Sequence, residues 1–326
     1  MYAYIVRRLL LMIPTIIIVS LIIFISIRLV PGDTIDIMAA SQSGFLTITR
    51  TMLEQKMGLD VPIVVQYGRW IGFLRDINGN FNGMLQGNLG RSLWSNATVI
   101  SQIKDRWPIT LQLGILGIIC GQLFALPVGI LSAIRQDTWG DYLGRSFAII
   151  CMAVPGFWVG TMILVFPSIW WGYMPPISYV SFFVDPVANL KMLLPAAVVL
   201  GMAMTGTTMR MTRAMMLEVL RADYVRTAWS KGLRERAVIV RHALKNALIP
   251  VITLVGLWLG VLIGGTVIIE QVFSLPGLGR LIVDAALSRD YPVISGVLLF
   301  FGCGMIFINL LVDLTYAYLD PRIRYQ

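Results

Sequence analysis

The sequence predicts an all-α integral membrane protein with six transmembrane helices and a small extracytoplasmic cap between the first and second of them. Three observations carry this. Hydrophobic residues are 57% of the 326 and charged residues only 13%. With a mean hydropathy of +0.78, that is more apolar surface than a water-facing exterior admits, so lipid is the solvent for most of the chain. Six apolar runs have the length that a helix rising about 1.5 Å per residue needs to cross about 30 Å of hydrocarbon. Lysine and arginine gather in alternate short connections between those runs, as they do where one side of a membrane retains them.

The first run, Ile5 to Val30, holds Arg7 and Arg8 ahead of an uncharged apolar stretch from Leu9 to Ile27. No small-residue cleavage pattern follows, which favours a retained span over a removed signal segment. The segment from Pro31 to Arg106 mixes polar and apolar residues, with turn signals at Asn78-Gly79-Asn80 and Asn82-Gly83. It is too large for a bare connection and is expected to form the cap. The remaining runs are Trp107 to Ile134, Leu143 to Trp171, Met192 to Met209, Ala247 to Ile269 and Val293 to Leu319. Residues 1–105 are thus expected to hold the first helix and the outer segment, and residues 106–326 five helices with a connection at 210–246. Pro14, Pro127, Pro155 and Pro167 interrupt spans, and glycines four apart, Gly117 with Gly121 and Gly256 with Gly260, suit close helix packing better than a gating hinge.

Placing the N-terminus inside puts fifteen Lys and Arg in cytoplasmic segments, nine of them between Arg210 and Lys245, against three in the short outer loops (Lys191, Arg280 and Arg289). The long outer segment holds seven more, but segments of that length translocate largely regardless of charge. Both termini are predicted to be cytoplasmic. The formal charge of +9 suits anionic headgroups better than nucleic acid, because the basic residues stand between apolar runs. Cys120, Cys151 and Cys303 fall inside apolar runs and read as small core residues, while His242, the only histidine, has no second ligand nearby and reads as structural. The 17 methionines are scattered as flexible packing rather than gathered for a metal. Arg28 and Glu270 fall at span ends, and Asp313 is expected to pair with a cytoplasmic-side arginine or to line a path.

The connection from Arg210 to Asn246 is long for a turn. Within it, Asp223 to Leu233 reads as a short helix that Asp223 caps and Gly232 ends. At helical spacing Tyr224 and Ala228 share one stripe, Val225, Trp229 and Leu233 the next, and Arg226 and Ser230 lie on the other side. Such a helix either anchors in the membrane interface, with Trp229 at headgroup depth, or seats in a partner.

The runs Asp223-Tyr224-Val225-Arg226-Thr227-Ala228, Lys231-Gly232-Leu233, Arg241-His242-Ala243-Leu244 and Asn246-Ala247-Leu248-Ile249-Pro250 resemble the coupling loop of binding-protein-dependent ABC importer permeases of the oligopeptide, dipeptide and nickel group. Val30-Pro31-Gly32-Asp33, Met57-Gly58-Leu59-Asp60, Phe273 to Arg280, Arg289 to Val293, Asn309 to Asp313 and Asp320 to Arg324 are similar to that group as well, so the resemblance extends over the whole chain. Two departures are an Arg226-Thr227-Ala228 where the wider class shows Glu-Ala-Ala, and a longer separation between Gly232 and Pro250.

The resemblance implies the type I ABC importer permease fold and a peptide, nickel-chelate or glutathione-like solute. It implies a second homologous permease, two cytoplasmic ATP-binding subunits and an extracytoplasmic substrate-binding protein as partners. The ATPase-coupling residues would be Asp223, Tyr224, Val225, Thr227, Ala228, Gly232 and Leu233, with Tyr224, Val225 and Ala228 buried in the ATPase cleft. The chain itself has no Gly-x-x-x-x-Gly-Lys-Ser/Thr loop, so ATP and Mg are expected on partner subunits, with no cofactor, metal site or catalytic residue here. Polar residues of the spans, Thr110, Gln112, Gln122, Thr205 and Asn309, are the expected lining of the translocation path. A secondary carrier would show paired ionisable residues near the midplane and inverted halves, and a membrane-embedded enzyme would cluster His, Asp or Glu within spans; the sequence has neither pattern.

Overall fold

A computed structural model describes residues 2–29, 58, 60–77, 79–172 and 178–319. Val30 to Met57, Leu59, Asn78 and the terminal Asp320 to Arg324 lie outside those residues. Among the described residues the long elements are helical, and β-structure is one antiparallel bridge, Arg91 to Thr98. The order is α1 (Tyr2–Leu29), α2 (Ile63–Ile71), a 3-10 turn (Met84–Gln86), α3 (Val99–Ile134), α4 (Trp139–Ala153), α5 (Gly156–Trp171), α6 (Pro186–Leu220) and α7 (Asp223–Ser230). A single turn, α8 (Glu235–Ala237), runs through a π-helical turn (Val238–Ala243) into α9 (Leu244–Gly265), followed by α10 (Val267–Val272), α11 (Leu278–Ser288) and α12 (Tyr291–Leu319).

Among the described residues, five stretches are each long and apolar enough to cross a membrane: Val6–Leu29, Val99–Ile134, Pro186–Leu220, Glu235–Gly260 and Tyr291–Asp313. The third expected span passes only as a pair, α4 and α5, bent by 95°. Pro155 is the cause. It has no N–H to donate and crowds the preceding turn, and Val154 before it takes the extended backbone (φ −85°, ψ 126°) that a residue preceding proline prefers. Two spans outrun their apolar runs: α3 starts at Val99 rather than Trp107, and α6 covers Pro186–Leu220 rather than Met192 to Met209. Beyond Met209, α6 is interrupted by Arg210, Thr212, Arg213 and Glu218 but is made mostly of good helix formers, Met, Arg, Ala, Leu and Glu. Its start is capped by Asp185, whose carboxylate accepts from the N–H groups of Val187 and Ala188, both at 3.0 Å, with Pro186 in the first turn.

The chain forms two compact units, residues 1–107 with 281–307 and residues 108–280 with 308–326. The first unit therefore takes in a late segment that the linear division at 105/106 assigned to the five-helix part. In this unit α2 is fixed to α1 by aromatic packing of Phe24 with Tyr67 and Trp70, centroids 5.1 and 5.7 Å apart. Arg28 closes the same contact, donating to Gln66 Oε1 from Nε at 3.0 Å and Nη2 at 2.7 Å while stacking on Phe24. The bridged turn at 91–98 is held by Asp290, whose buried carboxylate accepts from Ser92 Oγ at 2.5 Å and from the Leu93 N–H at 3.2 Å; Trp94 Nε1 donates to the Ser288 carbonyl at 2.9 Å. Asp290→Ala leaves the Ser92 and Leu93 donors without that acceptor, a loss of about 1–3 kcal/mol. The expected result is faster proteolytic cleavage within Arg91–Thr98 in detergent solution, and an unchanged cleavage rate would contradict this account.

In the second unit α6 is the central helix, packed by α4, α5 and α9. Its core is Leu113 of α3, Leu193, Ala196, Ala197, Val199, Leu200 and Met204 of α6, with Ile269 and Leu275. The glycine pair read from the sequence does bring helices close: a Cβ on Gly201 would lie 2.6 Å from the Gly117 carbonyl oxygen and 2.8 Å from the Gly121 nitrogen. Thr205 seals this seam, its Oγ donating to the carbonyl oxygens of Gly201 (2.8 Å) and Gly121 (3.2 Å).

Candidate functional site

The segment after the fourth span is not a loop with one helix in it. Residues 210–220 continue α6 as a stalk, α7 follows after Arg221 and Ala222, and α8 with the π turn merges into α9. Asp223 is the first residue of α7 rather than its cap. The cap position is Ala222, without a side-chain bond, and Asp223 instead pairs with Arg226 at 3.5 Å on the exposed surface. Gly232 does end the helix, in the left-handed conformation (φ 72°), its N–H donating to the Trp229 carbonyl at 2.9 Å.

The largest correction concerns which face of α7 is free. Val225 (0% exposed) and Ala228 (5%) are turned into the chain's own core against Val238, Val219 and Leu220. Their contacts are already made, so these two side chains have no surface left for a partner's cleft. Three and four residue spacing leaves Asp223, Arg226, Thr227 and Ser230 on the opposite, exposed face. Tyr224 and Trp229 flank it, each 44% exposed, with Leu233 exposed beyond Gly232. The Tyr224 hydroxyl accepts from Asn246 Nδ2 at 2.8 Å. Thus α7 grips the chain at the start of the π turn through Val238 and after it through Asn246. Helices of the π type are rare and recur at functional positions.

Two buried carboxylates organise the unit: Asp141, which no sequence pattern singled out, and Glu270. Asp141, fully buried in the first turn of α4, accepts from Arg213 of α6 through Nε (2.8 Å) and Nη2 (2.7 Å), from the Asp137 N–H (3.1 Å) and from Ser132 Oγ at the end of α3. Glu270 was expected merely to close the fifth span, but it is fully buried on α10. Its Oε1 accepts from Thr110 Oγ1 at 2.7 Å and its Oε2 from the Arg280 N–H at 3.1 Å, while Thr110 Oγ1 accepts from the Leu278 N–H at 2.8 Å. The signal available for both was a lone acidic residue bordering an apolar run, which must find donors if it is buried.

The expected path residues divide in the same way. The polar groups of Thr110 and Thr205 are spent on the ties already described, and Gln112 Nε2 donates to Asn189 Oδ1 at 2.5 Å. These three polar groups hold elements of the chain together. Gln122 is half-buried with no hydrogen-bond partner for its amide among the described residues, and Asn309 is exposed. Of these two, only Asn309 presents its polar group at the surface; the Gln122 amide is enclosed.

The family described as binding-protein-dependent transport system inner membrane component matches residues 125–325, which hold α7 and both carboxylates, and the N-terminal part of such membrane components matches residues 1–114. A protein of Brucella abortus (strain 2308) named a peptide transport system permease protein is 38% identical over all 326 residues and the whole of its own length. Glutathione transport system permease protein GsiC of Salmonella typhimurium (strain LT2) is 37% identical over the same full extent. In fold, the crystal structure of an amino acid ABC transporter with histidines is similar with a TM-score of 0.53 at 14% identity, over 68% of this chain and 95% of that one. The chain accordingly belongs to the binding-protein-dependent transport system inner membrane component family and is a multi-pass permease subunit of an ABC importer, working with other transporter subunits.

Proposed function

We propose that this permease imports peptides or peptide-like solutes such as glutathione, lying in a bacterial or archaeal cytoplasmic membrane with both termini inside. Alternating access with a second, homologous permease forms the path. Two separate ATP-binding subunits, carrying ATP and Mg, drive it from the cytoplasm through α7, and an extracytoplasmic binding protein delivers the solute to the cap. The full-length relatives named for peptide and glutathione transport support the solute class. The observation that carries the coupling reading is α7 itself, a helix terminated by Gly232 whose apolar side is anchored in its own chain and whose polar face is left uncovered. An interfacial anchor would turn the other way, with its apolar face toward lipid.

Crosslinking tests this. In a chain whose native cysteines have been replaced, a cysteine at Thr227 or Ser230 is expected to capture a co-expressed ATPase subunit from the cytoplasmic side, and one at Ala228 is not. Copurification of the ATPase without capture from either exposed position would sink the assignment of α7. Capture by a membrane-impermeant reagent from outside would sink the orientation.

A further inference from the structure

We propose that Asp141 is a positioning residue for coupled transport, its ion pair with Arg213 passing the movement of α7 to the corner between α3 and α4. The inference rests on the coupling reading of α7 given above.

The stalk is the mechanical link. Met209 ends the apolar run of the fourth span, and the helix continues to Leu220, about 16 Å at the rise of an α-helix. Val219 and Leu220 support α7, and Met216, fully buried, packs with Ala133, Ala243 and Ala247. Arg213 stands one turn beyond Met209, so a displacement of α7 reaches it along a continuous helix. At that level Asp141 fastens three elements at once: Arg213 on the stalk, Ser132 on α3 and the Asp137 N–H in the connection between α3 and α4.

Packing alone does not call for such a pair, because a buried ion pair replaced by apolar groups of similar volume is often neutral or stabilising. A fork between guanidinium and carboxylate supplies what apolar contacts lack, a fixed distance together with a fixed direction. Elsewhere α4 meets α6 through Gly144, Ala148, Gly206 and Met209, short or apolar groups, and through a long, exposed contact in which Arg210 Nη1 donates to the Met152 sulfur at 3.7 Å. Those surfaces allow sliding; the bidentate pair prevents it at one level. A push on the stalk is therefore delivered to the ends of α3 and α4 instead of being lost between smooth faces.

The test uses the whole transporter, with its ATPase subunits and binding protein, in proteoliposomes. Asp141→Asn removes the charge and Arg213→Lys keeps the charge without the fork. Both variants are expected to copurify with the ATPase subunits and to hydrolyse ATP, while solute carried per ATP falls roughly tenfold for D141N and less for R213K, in the range by which residues along a coupling route modulate coupling. An assembled variant of either kind with the unsubstituted ratio overturns the proposal. So does failure of both variants to assemble, which would leave the pair a folding element only. If the unsubstituted chain does not bind the ATPase subunits, it is the coupling reading itself that fails.

Discussion

Gly201→Leu is expected to abolish the folded permease, with no monodisperse protein recovered after detergent extraction. A first side-chain carbon at this position meets main-chain atoms, the Gly117 carbonyl oxygen at 2.6 Å and the Gly121 nitrogen at 2.8 Å, rather than a rotatable side chain. Backbone cannot step aside by rotation, so α3 and α6 must separate. Separation breaks the Thr205 bond to the Gly121 carbonyl and opens the contact of Leu113 with Leu193 and Ala197. Overpacking a well-filled core costs about 1–3 kcal/mol where side chains can adjust, and here the obstruction is main chain on a central helix, which places the loss at or beyond that range. Gly264→Ala is the control, since a Cβ there meets nothing within 4 Å. Equal yield and thermal stability for the two variants would refute the close approach.

Glu270→Ala is the second large effect. The substitution removes the acceptor of the Thr110 hydroxyl and of the Arg280 N–H in a fully buried place and leaves a void. Each orphaned buried donor costs about 1–3 kcal/mol, and the void adds to it. The Leu278 N–H keeps its bond to Thr110, but the Arg280 N–H at the end of the same turn loses its acceptor on α10. Thermal unfolding in detergent, followed by scanning fluorimetry, is expected to show a drop of several degrees or more for E270A. The drop should be clearly smaller for Glu270→Gln, which keeps the volume and an acceptor oxygen. A glutamine variant as unstable as the alanine variant would mean that the carboxylate, not the hydrogen-bonded shape, is what matters.

The membrane fold was legible because lipid as solvent imposes a coarse composition rule: runs of about twenty apolar residues show themselves in one sequence. The glycine seam was legible for a related reason, since spacing by four fixes a helix face and small residues admit a neighbour. Helix lengths were not, because charged residues interrupt the extensions of α3 and α6 (Lys104, Asp105 and Arg106; Arg210, Arg213 and Glu218), and hydropathy counts such stretches as connection. The outward face of α7 was not legible either. Helical spacing sets Val225 and Ala228 on adjacent stripes, but it does not say whether they are covered by a partner or by residues of the same chain. Asp141 and Arg213 are 72 residues apart, and Thr110 and Glu270 are 160 apart; no local pattern joins such pairs. The same blindness hid the partners of Thr110, Gln112 and Thr205, since a polar residue in a span looks alike whether it meets solute or another helix.

The break at Val154 and Pro155 constrains the environment of that surface. The two helices it joins have 15 and 16 residues, about 22–24 Å each, so neither crosses a hydrocarbon layer of about 30 Å unaided. Main-chain oxygens freed at the corner have no acyl-chain substitute for water, and irregular backbone at membrane depth survives only against other polypeptide or beside an aqueous channel. Pro155 is exposed in the isolated chain. In the assembled transporter its neighbourhood is therefore wet or covered by protein, and fatty chains are kept from it.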